Sequence, residues 1–157
     1  MPQNSTLQQI KSDFTDLNFS AADEFRWSPE EKTVYFNPEF IGEENGRLIL
    51  LHELGHALLD HNSIENDVDL LKKEVAAWEK ARELCERYAI TFNDDLAENC
   101  LDSYRLWLDK RSTCIECEQT GYQNHELHYT CLNCQAFWKV SFDQKKRVCR
   151  VPTKQKA

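Results

Sequence analysis

The stretch LLHELGHALLDH, residues 50–61, sets His52, Glu53 and His56 among leucines and closes on Asp60-His61. The apolar flank of Leu48, Ile49, Leu50, Leu51, Leu54, Leu58 and Leu59 predicts a helix over about Arg47–Asp60. It is apolar nearly all round, the pattern of a buried helix. Side chains four apart on a helix share a face, so His52 and His56 can offer two imidazoles to one ion. Glu53 sits beside them, in reach of a water at a further coordination position. Two histidines and a glutamate at this spacing form the HExxH arrangement of zinc hydrolases, in which the Glu is general base toward the metal-bound water. The competing expectation is a core helix whose histidines are satisfied by carbonyls. It would leave Glu53 as a buried carboxylate without a partner, which is unfavourable. Gly55 costs about 1 kcal/mol relative to Ala inside a helix, and is read as room for another backbone to pass, the alternative being a glycine that is simply tolerated.

A catalytic zinc takes three protein ligands and keeps one position open. His61 lies five residues after His56, about 140° round the helix, and converges only if the chain turns sharply at Asp60. Leu59 and Asn62 stand where a metzincin has Gly and His. His61 is therefore read as a group at the helix C-terminus, interacting with its dipole, or as a residue supporting the ligands from behind. Glu74 is the better third ligand. A second helix, predicted over Asp67–Tyr88, carries an apolar stripe of Leu70, Leu71, Ala77, Trp78, Ala81, Cys85 and Tyr88. Glu74 falls near the middle of that stripe; Glu79, Glu83 and Glu86 fall outside it. A carboxylate facing a core calls for a cation, the alternative being a salt bridge to Arg47 or Arg82.

His52-Glu53-Leu54-Gly55-His56 followed by Glu74-Val75-Ala76-Ala77-Trp78 resembles the gluzincin metallopeptidases, most closely the small ImmA/IrrE-type and minigluzincin proteins. The resemblance covers roughly residues 25–88. It implies a small α+β zincin-like domain whose active-site helix packs under a short sheet, with the glutamate of the next helix as third zinc ligand. It also implies a strand before the active-site helix that receives extended substrate, here Thr33–Phe36. No motif places the family's transition-state-stabilising Tyr or His; Tyr88, Tyr104 and His61 are candidates.

The rest of the chain fits around this core. A short helix is expected over Leu7–Leu17. EFRWSPEEKTVYFNPE, residues 24–39, reads as a hairpin with a turn at Ser28-Pro29, a strand at Thr33–Phe36 and a stop at Asn37-Pro38. Asn45-Gly46 precedes the active-site helix, and a third helix is expected over Asp94–Leu108. With 157 residues, 41% hydrophobic and 29% charged, the chain has the composition of a soluble globular protein. Without an apolar run of bilayer length or a signal-peptide core it is expected in the cytoplasm, with no membrane partner.

Charge divides it. Residues 1–109 hold 10 Lys+Arg against 23 Asp+Glu, net −13; residues 110–157 hold 9 against 4, net +5. The acidic part repels phosphates, which argues against nucleic acid as its partner and weakly favours basic or extended peptide segments.

In the basic part, Cys114/Cys117 and Cys131/Cys134 form two CxxC pairs separated by 13 residues. That spacing gives a closed four-cysteine structural zinc site resembling a zinc ribbon, with GYQNHELHYT as a hairpin and His125 and His128 facing solvent. Its charge and Tyr129, Phe137 and Trp138 could suit nucleic acid, as in SprT-like proteases. Support of the protease domain or docking of substrate is favoured, because the aromatics can equally pack a tiny core. Cys85 and Cys100 read as buried or half-buried. Cys149 reads as a free surface thiol. Flanked by basic residues, it could instead cap an open zinc, with the tail plugging the cleft as in minigluzincins.

The expected architecture is α+β: a zincin-like domain over 1–111, a ribbon over 112–150 and a frayed basic tail over 151–157. The expected activity is a zinc metallopeptidase with one catalytic and one structural zinc, acting on a protein or peptide. The alternative is a non-proteolytic regulator that uses the same fold and ribbon to bind DNA or protein.

Overall fold

A computed structural model describes residues 2–141 and 147–153. They form α1 (Pro2–Asp13), β1 (Asn18–Ala21), β2 (Arg26–Ser28), β3 (Thr33–Phe36), α2 (Glu44–Leu58), α3 (Asp67–Tyr88), α4 (Asp94–Ser112), β4 (Tyr122–His125), β5 (His128–Thr130), β6 (Phe137–Val140) and β7 (Arg150–Thr153). The architecture is mixed α+β, with four helices and two small sheets among the described residues. No helix there is long and apolar enough to cross a membrane. By internal contacts the chain divides into two units, Met1–Ile64 with Lys72–Glu98, and Glu65–Leu71 with Asn99–Ala157.

In the first unit α1 buries Leu7 and Ile10, one turn apart. It stops at Asp13 rather than running to Leu17, because the chain turns there to bring the Asn18 N–H to the Lys32 carbonyl (2.9 Å) and enter β1. The hairpin at Ser28-Pro29 is present: β2 pairs antiparallel with β3, Trp27 opposite Val34. β1 was not legible as a strand; its four residues bury no side chain fully and do not alternate. It pairs parallel with β3, giving the order β1-β3-β2. This corrects the expectation for Thr33–Phe36. As the central strand, β3 has neighbours on both sides and no free edge for an extended substrate, whereas β2 pairs on one side only.

α2 begins at Glu44, so the Asn45-Gly46 pair expected to precede it lies in its first turn. Gly46 is needed for proximity: a Cβ there would lie 1.8 Å from the Phe40 carbonyl oxygen. The helix ends in a Schellman turn. Asp60 is left-handed (φ 58°), its N–H bonds the Ala57 carbonyl (3.2 Å) and the His61 N–H bonds the His56 carbonyl (3.0 Å). α3 has the predicted bounds and buries Ala77, Trp78, Ala81, Cys85 and Tyr88 together with Glu74.

The second unit is built on the sheet β4-β5-β6-β7, with β4 and β5 forming the expected hairpin. Its core is Cys114, Tyr129, Cys131, Trp138 and Val140, with Tyr129 and Trp138 stacked at 5.7 Å. Two of the three ribbon aromatics are thus interior. The frayed tail needs correction. Arg150–Thr153 is an edge strand on β6, with Pro152 opposite Trp138, a place where a missing N–H is tolerated. Residues 154–157 of that tail lie outside the described residues. α4 continues past Leu108 to Ser112 because Arg111 is held inside this unit. The Asp67 carboxylate accepts from Arg111 Nε (2.7 Å) and from the Tyr129 hydroxyl (2.5 Å), while the Asp67 N–H donates to Gln123 Oε1 (2.8 Å). This buried charge pair, 2% exposed at Arg111 and 7% at Asp67, draws the first turn of α3 into the second unit.

Candidate metal centres

Two groups among the described residues have the donors and proximity to hold a metal ion: His52, His56 and Glu74, all buried, and Cys114, Cys117, Cys131 and Cys134. The first depends on how closely α2 and α3 pack. A Cβ on Gly55 would stand 2.7 Å from the Ala77 carbonyl oxygen and 3.3 Å from Lys80 Cβ, so only glycine lets the α3 backbone pass there. Glu74 sits one turn before Ala77 on the same face. Its two oxygens lie 3.1 Å from His52 Nε2 and 3.1 Å from His56 Nε2. The edge of a tetrahedron around an ion with bonds of about 2.0–2.1 Å is about 3.3–3.4 Å. Each histidine thus stands at nearly that separation from its own Glu74 oxygen, and one ligand atom from each of the three residues lies within 4.8 Å of the others. The alternative salt bridge is not what Glu74 makes: Arg47 donates to the Gly42 carbonyl (2.7 Å) and Arg82 pairs with Asp94 (2.6 Å).

Electrostatics agree with the geometry. Burial alone would raise the Glu74 pKa, but hydrogen bonds from His52 and His56 overcome it and hold the group at about 2. Glu74 is therefore an anion at neutral pH, the form that binds a cation. Glu53 shifts the other way. Burial raises its pKa against the lowering influence of His52, His56 and a hydrogen bond from the Trp27 backbone N–H, and the Glu74 charge raises it further. Two carboxylates on packed helices are thus driven in opposite directions, one toward permanent charge and one toward exchanging a proton.

The two histidines are held differently. His52 stacks on Trp78 (4.2 Å between ring centroids, 24° between planes), and its buried Nδ1 has no hydrogen-bond partner among the described residues. His56 Nδ1 lies 2.8 Å from His61 Nδ1. The sharp turn at Asp60 does occur, yet His61 comes to the back of the His56 ring and stays outside the donor group. Of the other candidates, Tyr88 donates its hydroxyl to Asp13 (2.7 Å) and Tyr104 lies in the second unit. Two contributors were not legible beforehand. Trp78, four residues after Glu74, stood in the motif without a role; Trp27 reaches Glu53 only because β2 packs on α2.

In the second group the sulfurs of Cys114 and Cys134, and of Cys117 and Cys131, are 3.5 Å apart. That is far beyond a disulfide bond of about 2.05 Å and near the edge of about 3.8 Å for a tetrahedron with metal–sulfur bonds of about 2.3 Å. The two CxxC turns repeat one design. Glu118 and Gln135, each following its second cysteine, are left-handed (φ 63° and 64°) and donate to the Cys114 and Cys131 carbonyls. Hydrogen bonds from the Asn133 side chain and the Gln119 backbone bring the Cys117 thiol down to about 6. At Cys134 the Ala136 backbone bond favours the thiolate, yet burial and the three neighbouring sulfurs push it up to about 12. Four thiols this close do not all ionise without a cation among them. Cys85 is buried, Cys100 half-buried and Cys149 exposed, its backbone tied to Ser141. His125 is exposed and His128 half-buried.

Comparison with protein-family models, with curated proteins and with solved structures finds no match to this chain.

Proposed function

We propose that the protein is a zinc-dependent metallopeptidase, with His52, His56 and Glu74 holding the catalytic zinc and the four cysteines a structural one. The observation that carries this is the meeting of both histidine Nε2 atoms on the two oxygens of Glu74 at 3.1 Å, with Glu53 in the same helical turn. The donor set of two imidazoles and one carboxylate is that of catalytic zinc. A zinc ion bound there supplies a Lewis acid that polarises a carbonyl and makes water acidic.

The chain's own residues do the rest. Glu53, whose pKa burial raises above the usual carboxylate value, is a better base than a solvated carboxylate toward the attacking water. It returns that proton to the amine nitrogen as the C–N bond breaks, so the carboxylate ends as it began. The Trp27 N–H aims the Glu53 carboxylate. Substrate would lie along the free edge of β2, beside a cavity of about 400 Å³ lined by Asp16, Leu17, Trp27, Glu30, Ala57 and Asp60. Lys32 also lines it, but three carboxylates against that one ammonium, beside an apolar wall, favour segments carrying Lys or Arg.

The test is Glu53→Gln in zinc-loaded protein. The expected outcome is retained zinc, two ions per chain, with peptide cleavage reduced by about 10³-fold or more. Glu74→Ala should retain one ion, that of the cysteines. Undiminished cleavage or biological activity in Glu53→Gln would refute the peptidase and favour a binding protein on the same scaffold.

A further inference from the structure

We propose that His61 is a positioning residue for the metal ligand His56, fixing through its Nδ1 which nitrogen of the His56 ring faces the ion; this rests on the metal reading above. The contact is short, 2.8 Å between the two Nδ1 atoms, with the rings edge-on at 5.1 Å. It is also built by the backbone. In the Schellman turn that closes α2, His56 is the helical residue whose carbonyl accepts the N–H of the second residue beyond the helix, and that residue is His61 (3.0 Å). A side-chain contact between these two positions commonly accompanies the motif and is usually apolar. Here both partners are imidazoles, and the left-handed Asp60 (φ 58°) that makes the turn is what points one at the other.

The chemistry of the pair follows from proton placement. A histidine bound to metal through Nε2 carries its proton on Nδ1, and that proton needs an acceptor. His61 Nδ1 stands where such an acceptor must be. The direction of the contact follows the tautomers of the two rings. With its proton on Nε2, facing Glu74 Oε1 at 3.1 Å, a neutral His56 would accept at Nδ1 from His61. An imidazole serves both arrangements by exchanging tautomers; a carboxylate at position 61 could only accept. His52 has no such partner on its Nδ1 among the described residues, and its ring stacks against Trp78. The two ligands are thus unequally supported, and the hydrogen-bonded one is held by the turn at the end of its own helix.

The test compares His61→Phe, which keeps a planar ring without an acceptor, with His61→Asn, which restores one. Zinc affinity of the full chain is measured by chelator competition, with the cysteine-bound ion as internal reference for folding. In the zinc-loaded proteins, imidazole 15N–1H NMR reads the His56 Nδ1 proton. The expected result is a fall of about 10–100-fold in affinity at the His52/His56/Glu74 centre for His61→Phe. His61→Asn should return to within about threefold of wild type, a span of under 1 kcal/mol. The Nδ1–H signal should be slowly exchanging in wild type and His61→Asn, and lost in His61→Phe. Wild-type affinity in His61→Phe, or equal losses in both variants with the cysteine site intact, overturns the role of His61 while leaving the metal centre standing. A wild-type protein that binds only the cysteine-held ion overturns the metal reading itself, and the positioning role with it.

Discussion

Replacing Gly55 by alanine sets two opposing effects against each other where the α3 backbone crosses α2. In an isolated helix the change stabilises by about 1 kcal/mol. In this protein the new methyl would meet the Ala77 carbonyl oxygen at 2.7 Å, and ordinary contact begins at 3.4 Å. The obstacle is backbone, not the end of a flexible side chain, so α3 must retreat by about 0.7 Å, at an overpacking cost of about 1–3 kcal/mol. The net loss of stability is modest, about 0–2 kcal/mol. The loss at the metal centre is larger. Glu74 rides on α3 three residues before Ala77, and metal–ligand bonds tolerate only about 0.2 Å of displacement. Gly55→Ala should therefore weaken zinc binding at His52, His56 and Glu74 by about 10–100-fold while thermal unfolding shifts little. The assay is chelator competition with a parallel melting curve, the cysteine-bound zinc serving as control. Unchanged affinity together with a raised melting temperature would refute the packing account.

The polar network of the second unit and the α1–α3 contact of the first give two further tests. Asp67→Ala strands the Arg111 guanidinium, 2% exposed, and the Tyr129 hydroxyl. It should cost about 3–5 kcal/mol, read as the unfolding midpoint of the zinc-loaded protein, whereas Asp67→Leu with Arg111→Met and Tyr129→Phe should recover most of it. Tyr88 is pushed up to about 12, first by burial and then by its hydrogen bond to Asp13. A raised pKa in the folded state stabilises below the unfolded value near 10. About 2–3 kcal/mol should then be lost as pH rises from 10 through 12, and Tyr88→Phe should remove that share of the alkaline dependence in urea titrations, leaving the shares of Cys85 and Tyr129, whose pKa values burial also raises. An equal alkaline loss in Tyr88→Phe would show that other groups govern it.

Much of the candidate site was legible in the order of residues, because helical periodicity is a local property. His52, Glu53 and His56 share a helix, so their common face follows from spacing alone, and Glu74 declared itself as a charge inside an apolar stripe. The four cysteines were readable for the same reason, each CxxC being a single turn of chain. The helix start was set three residues late, at Arg47 instead of Glu44, because nothing local shows that Gly46 is there for closeness to the Phe40 carbonyl within the first turn. β1 and β7 were hidden because edge strands of four residues need neither alternation nor apolar side chains. Their backbone bonds to a partner strand hold them, and the partner is remote in the chain.

What the sequence alone determined is the set of donors and the helices that carry them. Tertiary structure decided the rest: that β3 is central with β1 and β2 at the two edges, that Trp78 stacks on one histidine, that Asp67 joins Arg111 and Tyr129, and that His61 turns back onto His56. His61 shows the difference most plainly. Five residues along a straight helix it points away from the metal site, and a single left-handed residue, Asp60, brings it to the His56 ring. Spacing rules describe a chain that continues its helix, whereas the direction in which a chain leaves a helix depends on one backbone dihedral and on the contacts that hold it there.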